Sequence, residues 1–525
     1  LFLGAVIRPH FYGAKNPMNE HPVKSLVILG GGSAGWMAAT LLASRFNGRL
    51  NITLVESDTI GIIGVGEATV PWIRKYLEDI NLDEQEFMRS THATFKLGID
   101  FVDWYRPGTA YFHPFGGYGS QIGKVPFHHL WTRLNHLGDV KALDQYNIGT
   151  HLAKTNRFAL PNAASDTPEG ARFNYAFHFD ASRFALLLSE LAQKRGVKRI
   201  EGKVREVKQH PDLGHIESLC LEDGTQVDGD FFIDCSGFSG LLIEKTLATG
   251  YVDWSHWLPC NRALAIPCSR SEEIPSYTRS LAQSAGWQWR IPLQHRDGNG
   301  YVYASDFITD DHAREALEKQ LAGPRLNEPK LIKFTTGTRT QSWNKNVFAL
   351  GLASGFLEPL ESTSLYLVQS GIEVLYRHFP RCLADCAALS KRANKLMMEN
   401  QERLRDFLIA HYALNQRTGE PFWDYCRNMA LPETLSAKLD EFKLTGSLDL
   451  DDRDFFKLNS WLAILTGNQQ MPAYWHPSAD QFPKNGLIQE LDNIHQAMSG
   501  AAAKAQLHSQ FLLQNNCSTY IANRR

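Results

Sequence analysis

The sequence is poor in several features, and each shortage excludes something. Cysteine is sparse: eight in 525 residues, irregularly spaced and without a C-x-x-C pair. That argues against structural zinc, so no metal site is expected. The thiols read as reduced and mostly buried, in a cytoplasmic protein. No apolar run approaches the roughly 18 residues of a membrane-spanning helix, and residues 1–17 carry no convincing signal-peptide pattern. Neither sign of charge dominates: the formal net charge is −2, which implies no nucleic-acid or general polyanion partner. There is no fixed-period repeat and no low-complexity tract. The chain begins at Leu1, and Met18 reads as the natural start, with residues 1–22 an N-terminal extension or an expression remnant. What remains is ordinary globular composition, 43% hydrophobic and 21% charged, long enough for two to four structural units.

Against that background one stretch stands out. Leu26-Val27-Ile28-Leu29 runs into Gly30-Gly31-Gly32-Ser33-Ala34-Gly35, and then into a helical pattern. Gly30, Gly32 and Gly35 match G-x-G-x-x-G. The first glycine allows the turn, the second lets a pyrophosphate approach the backbone, and the third lets helix and strand pack closely. Phosphates would sit at the helix N-terminus, beside Ser33 and Ala34, where free N–H groups favour anions. A second strand pattern, Asn51–Val55, ends at Glu56, 21 residues after Gly35; an acid there accepts hydrogen bonds from ribose hydroxyls. The loop that follows holds Gly61, Gly64, Gly66, Glu67 and Ala68, and its position suggests contact with the same nucleotide.

Farther along, Thr94–Trp104 alternates as a single strand, which places Lys96 on one face with Gly98 and Asp100. On pattern alone that lysine is a solvated strand residue. Residues 105–170 read as a loop-rich insertion, the kind that forms a binding region or lid. A helix is expected from Ala181 to Arg195 behind an Asp180 cap. Two further strand-to-glycine turns follow, at Phe231–Gly237 and at Asn346–Gly351-Leu352, with a β-rich stretch at 254–334 between them. Helical spacing dominates about 386–416, 432–443 and 485–513.

Three such turns separated by β-rich insertions fit an α/β, two-domain FAD-binding fold of the Rossmann-like, glutathione-reductase or hydroxylase type. It would carry a β-rich insertion and a helical C-terminal region. The FAD-binding core would cover 23–380, with insertions at about 95–170 and 254–334, and helices would cover 381–525. No second G-x-G-x-x-G with a trailing acid exists, so an NAD(P)H domain is absent from this reading. Electrons must then come from another protein.

These blocks resemble, in order, the flavin-dependent tryptophan halogenases. The likeness rests on Gly30–Ala39, Gly64–Thr69, Phe95-Lys96, a W-x-W-x-I-P signature at Trp287-Gln288-Trp289-Arg290-Ile291-Pro292, and Phe356–Thr363, and runs from about residue 23 to at least 430. The resemblance implies an enzyme that takes FADH2 from a separate flavin reductase. With O2 and halide (chloride or bromide) it makes hypohalous acid, which travels through a tunnel to an electron-rich aromatic ring. By similarity Lys96 directs the oxidant and Glu361 assists deprotonation of the arenium cation. Thr363 and Ser364 hold the halide, Trp287 and Trp289 shield the flavin, and His113 and Phe115 flank the substrate ring. Family members carry glycine where this chain has Ser364, which makes a bromide preference an expectation. The C-terminal aromatic block is shorter and poorly matched near Asp454–Trp461, which points to indole or an indole derivative rather than free tryptophan. A homodimer is a family-based expectation. The competing reading is an FAD-dependent aromatic monooxygenase, a hydroxylase, whose usual Gly-Asp at the third turn is here Gly351-Leu352.

Overall fold

A computed structural model describes residues 22–59, 66–161 and 173–518. Residues 1–21 of the N-terminal extension and the loop that contains Gly64 lie outside the described residues.

Four consecutive apolar residues leave the strand Ser25–Leu29 no water-facing side, and it lies inside a six-stranded sheet. In spatial order that sheet contains Trp343–Asn344, Val347–Ala349, Phe231–Asp234, Ser25–Leu29, Asn51–Glu56 and Lys198–Glu201. All neighbours are parallel except the first pair. The three strand-to-glycine segments are therefore adjacent, and their turns leave the same, carboxyl-end edge of the sheet, where ligands bind in open α/β folds. The helix Ser33–Phe46 packs against the helices Ala181–Lys194 and Ser364–Arg377. Asp180 caps the first of these two, accepting from the amides of Ser182 and Arg183 at 3.1 and 3.2 Å.

A seven-stranded sheet forms the second layer. It orders Lys330–Lys333, Arg262–Ser269, Arg296–Tyr303, Gly286–Pro292, Thr278–Gln283, Gly98–Val102 and Ala110–Pro114. The β-rich stretch at 254–334 and part of the 95–170 insertion thus build one surface. A small sheet of Gly66–Ala68, Ala176–Asp180 and Thr94–Lys96 completes the strand framework around Lys96.

Three local expectations change. The alternating segment from Thr94 is two strands in two sheets, not one. The chain crosses between them at Leu97, whose N–H donates to the Ser276 carbonyl at 2.7 Å and whose carbonyl accepts from Phe115 at 2.9 Å. With protein on both sides, the face that alternation assigns to solvent is dry, and Lys96 is fully buried. The 105–170 insertion is not loop throughout. It contains the helices Phe127–His136 and Ile148–Lys154, the second capped by Asn147, which accepts from Thr150 N–H at 3.2 Å. The 485–513 helix ends at Lys504, because Gln506–Leu507 pairs with Arg157–Phe158 before a short helix, His508–Gln514. The helices Cys386–Ala413 and Glu433–Thr445 follow their apolar spacing. The eight cysteines are free thiols, and all but Cys235 and Cys382 are buried. No helix among the described residues is long and apolar enough to cross a membrane.

Candidate active site

A cavity of about 950 Å³ follows the carboxyl ends of the parallel strands. Gly30, Gly32, Ser33 and Ala34 line it from the first turn, with Glu56, Gly66, Glu67 and Ala68 beside them and Gly351 and Leu352 from the third turn. Gly30 has φ +112°, and a Cβ there would lie 2.2 Å from the Cys235 carbonyl oxygen. Gly35 does not line the cavity; a Cβ on it would meet the Gly30 carbonyl oxygen at 1.8 Å. Its glycine thus permits the helix to sit tight on the turn. Gly32 faces open space. Gly31, to which the motif assigns no role, has Glu56 Oε2 only 1.4 Å from where its Cβ would be. The Glu56 carboxylate therefore lies over that glycine, and Arg199 Nε donates to its Oε1 at 2.5 Å. No side chain caps the helix Ser33–Phe46, which leaves its first-turn amides for an anion. An open glycine, free amides and an acid at the end of the next strand fit a flavin dinucleotide.

The turn Leu357–Thr363 also lines the cavity. Glu358, Glu361 and Ser362 take left-handed backbone, with φ of 65°, 64° and 59°. Non-glycine residues in that region cost about 1–3 kcal/mol each and cluster at functional sites. Glu361 is buried. Its Oε1 accepts from His113 Nδ1 and from His411 Nε2, both at 2.9 Å, while its buried Oε2 has no hydrogen-bond partner. Burial alone would raise this carboxyl, yet the two imidazoles hold it well below the usual carboxylate range. His411 Nδ1 also bonds the Phe407 carbonyl at 2.9 Å. Both of its ring nitrogens are thus engaged, which fixes the orientation of the imidazole.

Lys96 reaches the same turn. Its Nζ donates to Ser362 Oγ at 2.9 Å and to the Thr69 carbonyl at 3.0 Å, and lies 5.2 Å from the centre of the Phe115 ring. Burial pushes its pKa down to about 7, against the upward pull of Glu361 and Glu67. Thr363 and Ser364 follow on the cavity wall. The helix Ser364–Arg377 starts there with no side-chain cap, and the buried Thr363 Oγ1 has no partner. Uncapped amides with a spare hydroxyl suit a small anion. Ser364 takes helical backbone, so its position does not require glycine.

Trp287 and Trp289 are buried on the cavity wall, with ring centres 6.1 Å apart. Trp289 lies across Gly300 of the neighbouring strand, where a Cβ would come within 2.0 Å of the indole. Lys96, His113 and Phe115 are not part of the cavity lining. His113 and Phe115 sit beyond Glu361 in an aromatic group. There the Phe456 ring stacks on Phe407 at 3.7 Å and stands 6.4 Å from His113.

Sequence reasoning missed His411, Ser362 as the Lys96 partner, Gly31, and Phe407 with Phe456. His411 sits in an ordinary helical pattern and reaches Glu361 across 50 residues, a contact with no local signature. Phe456 lies in the block that matched poorly.

The family described as tryptophan halogenase matches residues 25–484. The tryptophan 6-halogenase SttH of Streptomyces toxytricini is 36% identical over 450 residues, covering 81% of this chain and 85% of that protein. Two solved structures resemble the chain over 94% of its length. BrvH, a flavin-dependent halogenase from Brevundimonas sp. BAL3, is 41% identical with a TM-score of 0.90 and is 99% covered. Xcc4156, a flavin-dependent halogenase from Xanthomonas campestris, is 40% identical with a TM-score of 0.89 and is 98% covered.

Proposed function

The chain belongs to the tryptophan halogenase family of flavin-dependent enzymes, and from that premise we propose that it halogenates an indole, or an indole derivative, other than free tryptophan. Reduced FAD from a separate reductase, with O2, supplies the oxidising power that turns halide into an electrophile. The remaining work falls to this chain's own side chains. The observation that carries the reading is the convergence of Lys96 and Glu361 on one dry turn, the first bonded to Ser362 Oγ and the second with Oε2 unpartnered.

With two donors used on Ser362 and Thr69, the Lys96 ammonium keeps one N–H for an oxidant arriving from the flavin side, and the neutral amine offers its lone pair instead; the lowered pKa makes both forms accessible near neutral pH. Glu361 Oε2 is an acceptor aimed at developing positive charge where water is excluded. A carboxylate so firmly ionised is a weak base, but a cationic aromatic ring surrenders its proton even to weak bases. His113 and His411 hold that carboxylate still through Oε1. Trp287 and Trp289 wall the flavin crevice from the aromatic group, so that substrate does not meet the flavin directly. The amides at Thr363 and Ser364 bind the halide, and the Ser364 hydroxyl favours bromide over chloride. His113, Phe115 and Phe456 present ring faces and edges suited to a planar indole.

The test is direct. Purified protein is supplied with a flavin reductase, FAD, NADH, bromide or chloride, and either indole or tryptophan, and products are read by mass spectrometry. Brominated indole in excess over halogenated tryptophan is expected. Hydroxylated product would return the chain to the monooxygenase reading. Faster chlorination than bromination would remove the role given to Ser364.

A further inference from the structure

Resting on the halogenase reading above, we propose that Glu358 is the acid of the oxidant-forming half of the reaction, a neutral carboxyl group that delivers the proton consumed when halide becomes hypohalous acid. The balance of that half requires one. Reduced FAD, O2, halide and one proton give oxidised FAD, hypohalous acid and water. Halide and reduced flavin each lose two electrons, O2 gains four, and its O–O bond breaks. Without a proton delivered from outside the reactants, the oxygen that joins the halogen would leave as hypohalite.

Glu358 lines the cavity and is 1% exposed. Its Oε1 accepts from the Tyr412 hydroxyl at 2.7 Å, and its Oε2 is buried without a hydrogen-bond partner. With a donor fixed on Oε1, the acid proton belongs on Oε2. The titratable groups that face the side chain are Tyr412 from the helix Cys386–Ala413, Cys260, and Cys426 from the helix Pro421–Asn428. Burial raises all three, so they are neutral, and no cation is among them. The Trp287 indole is near enough to draw the carboxyl's pKa down, but its Nε1 makes no hydrogen bond to Oε2. Burial wins and pushes the carboxyl up to about 8.

Glu361, three residues on, cannot do this work, because His113 and His411 hold it ionised. One strained turn thus presents two carboxyl groups whose surroundings drive them apart, an arrangement that marks an acid and a carboxylate with separate tasks.

Two measurements test the assignment. In the flavin-free protein, infrared spectroscopy should find a protonated-carboxyl carbonyl band at pH 7. Glu67, also buried and raised to about 7, contributes to the same region, so the component lost in Glu358→Gln is the Glu358 band, and that component should fade in the wild type as pH rises through about 8. In the FAD-loaded protein, Glu358→Gln should bind FAD as the wild type does yet release hydrogen peroxide. Its halogenated product per reduced flavin should fall on the order of a hundredfold. Wild-type coupling should decline over the same pH range as the band, and that of the variant should not follow it. A missing band at pH 7, or wild-type coupling in the variant, overturns the proposal. Failure of the halogenase reading looks different: the wild type itself would make no halogenated product.

Discussion

Charging Lys96 in a fully buried site costs free energy that the unfolded chain does not bear. Its folded pKa is about 7 and its ordinary value is 10.5. Between those values the unfolded state binds the extra proton, so this residue's contribution to stability rises with pH across that window; below about 7 the penalty is constant. Lys96→Met removes the titration. The melting-temperature difference between Lys96→Met and wild type should therefore favour the variant more at pH 7 than at pH 10. The shift in stability difference should be on the order of a few kcal/mol by calorimetry. Product should be abolished while FAD affinity persists. An equal difference at the two pH values would mean that the amine titrates normally. Glu361→Gln tests the carboxylate on the same turn. It removes the charge that faces His113 and His411 and leaves a weaker acceptor. Single-turnover product formation should drop on the order of a hundredfold at unchanged FAD affinity, and retained turnover would assign the proton elsewhere.

At the scale of elements, the strand–turn–helix at Ser25–Phe46 was legible from local sequence because its causes are local. An apolar run needs burial on both faces, a positive φ needs glycine, and a close helix needs a missing Cβ. The Asp180 cap was legible for the same reason. The sheet change at Leu97 was not, because what breaks the strand is a pair of hydrogen bonds to Ser276 and Phe115, one of them nearly 180 residues away. Without that break Lys96 reads as solvated; with it, the same alternation buries the residue. Nor was the end of Cys386–Ala413 legible, where consecutive residues serve different carboxyl groups, His411 at Glu361 and Tyr412 at Glu358. The glycine turn also makes a prediction that the motif alone does not. Gly31→Ala puts a methyl group where Glu56 Oε2 lies, so the carboxylate must swing away from the nucleotide edge. FAD affinity, followed by flavin fluorescence, should weaken by about tenfold or more, a change of about 1.4 kcal/mol. Gly500→Ala, in an open helical position, should leave FAD binding unchanged. Equal FAD affinity in Gly31→Ala and wild type would detach Glu56 from cofactor binding.

Over the whole molecule, a cavity and a packed aromatic cluster form two compartments that meet at the turn Leu357–Thr363. The crevice behind the glycine turns is lined by Glu361, Thr363 and Ser364 as well. Past Glu361 come His113, Phe115, Phe407 and Phe456, packed ring against ring. Phe456 is the contribution of the C-terminal region to that group, and its stacking on Phe407 at 3.7 Å leaves no ring-sized gap between the two. On its other side Phe456 meets His113 at a tilt of 49° with ring centres 6.4 Å apart, the spacing of rings in contact, so this one side chain fills the group from both sides. This places the size limit on the C-terminal side chain rather than on the flavin crevice. Phe456→Ala should therefore widen substrate choice without touching cofactor chemistry. Relative kcat/KM for bulky substituted indoles over indole should rise by about tenfold, the equivalent of about 1.4 kcal/mol, while FAD affinity stays at the wild-type value. A uniform loss of rate on all indoles would make Phe456 a stacking partner rather than a size filter, and a change in FAD affinity would mean that the two compartments are not separate.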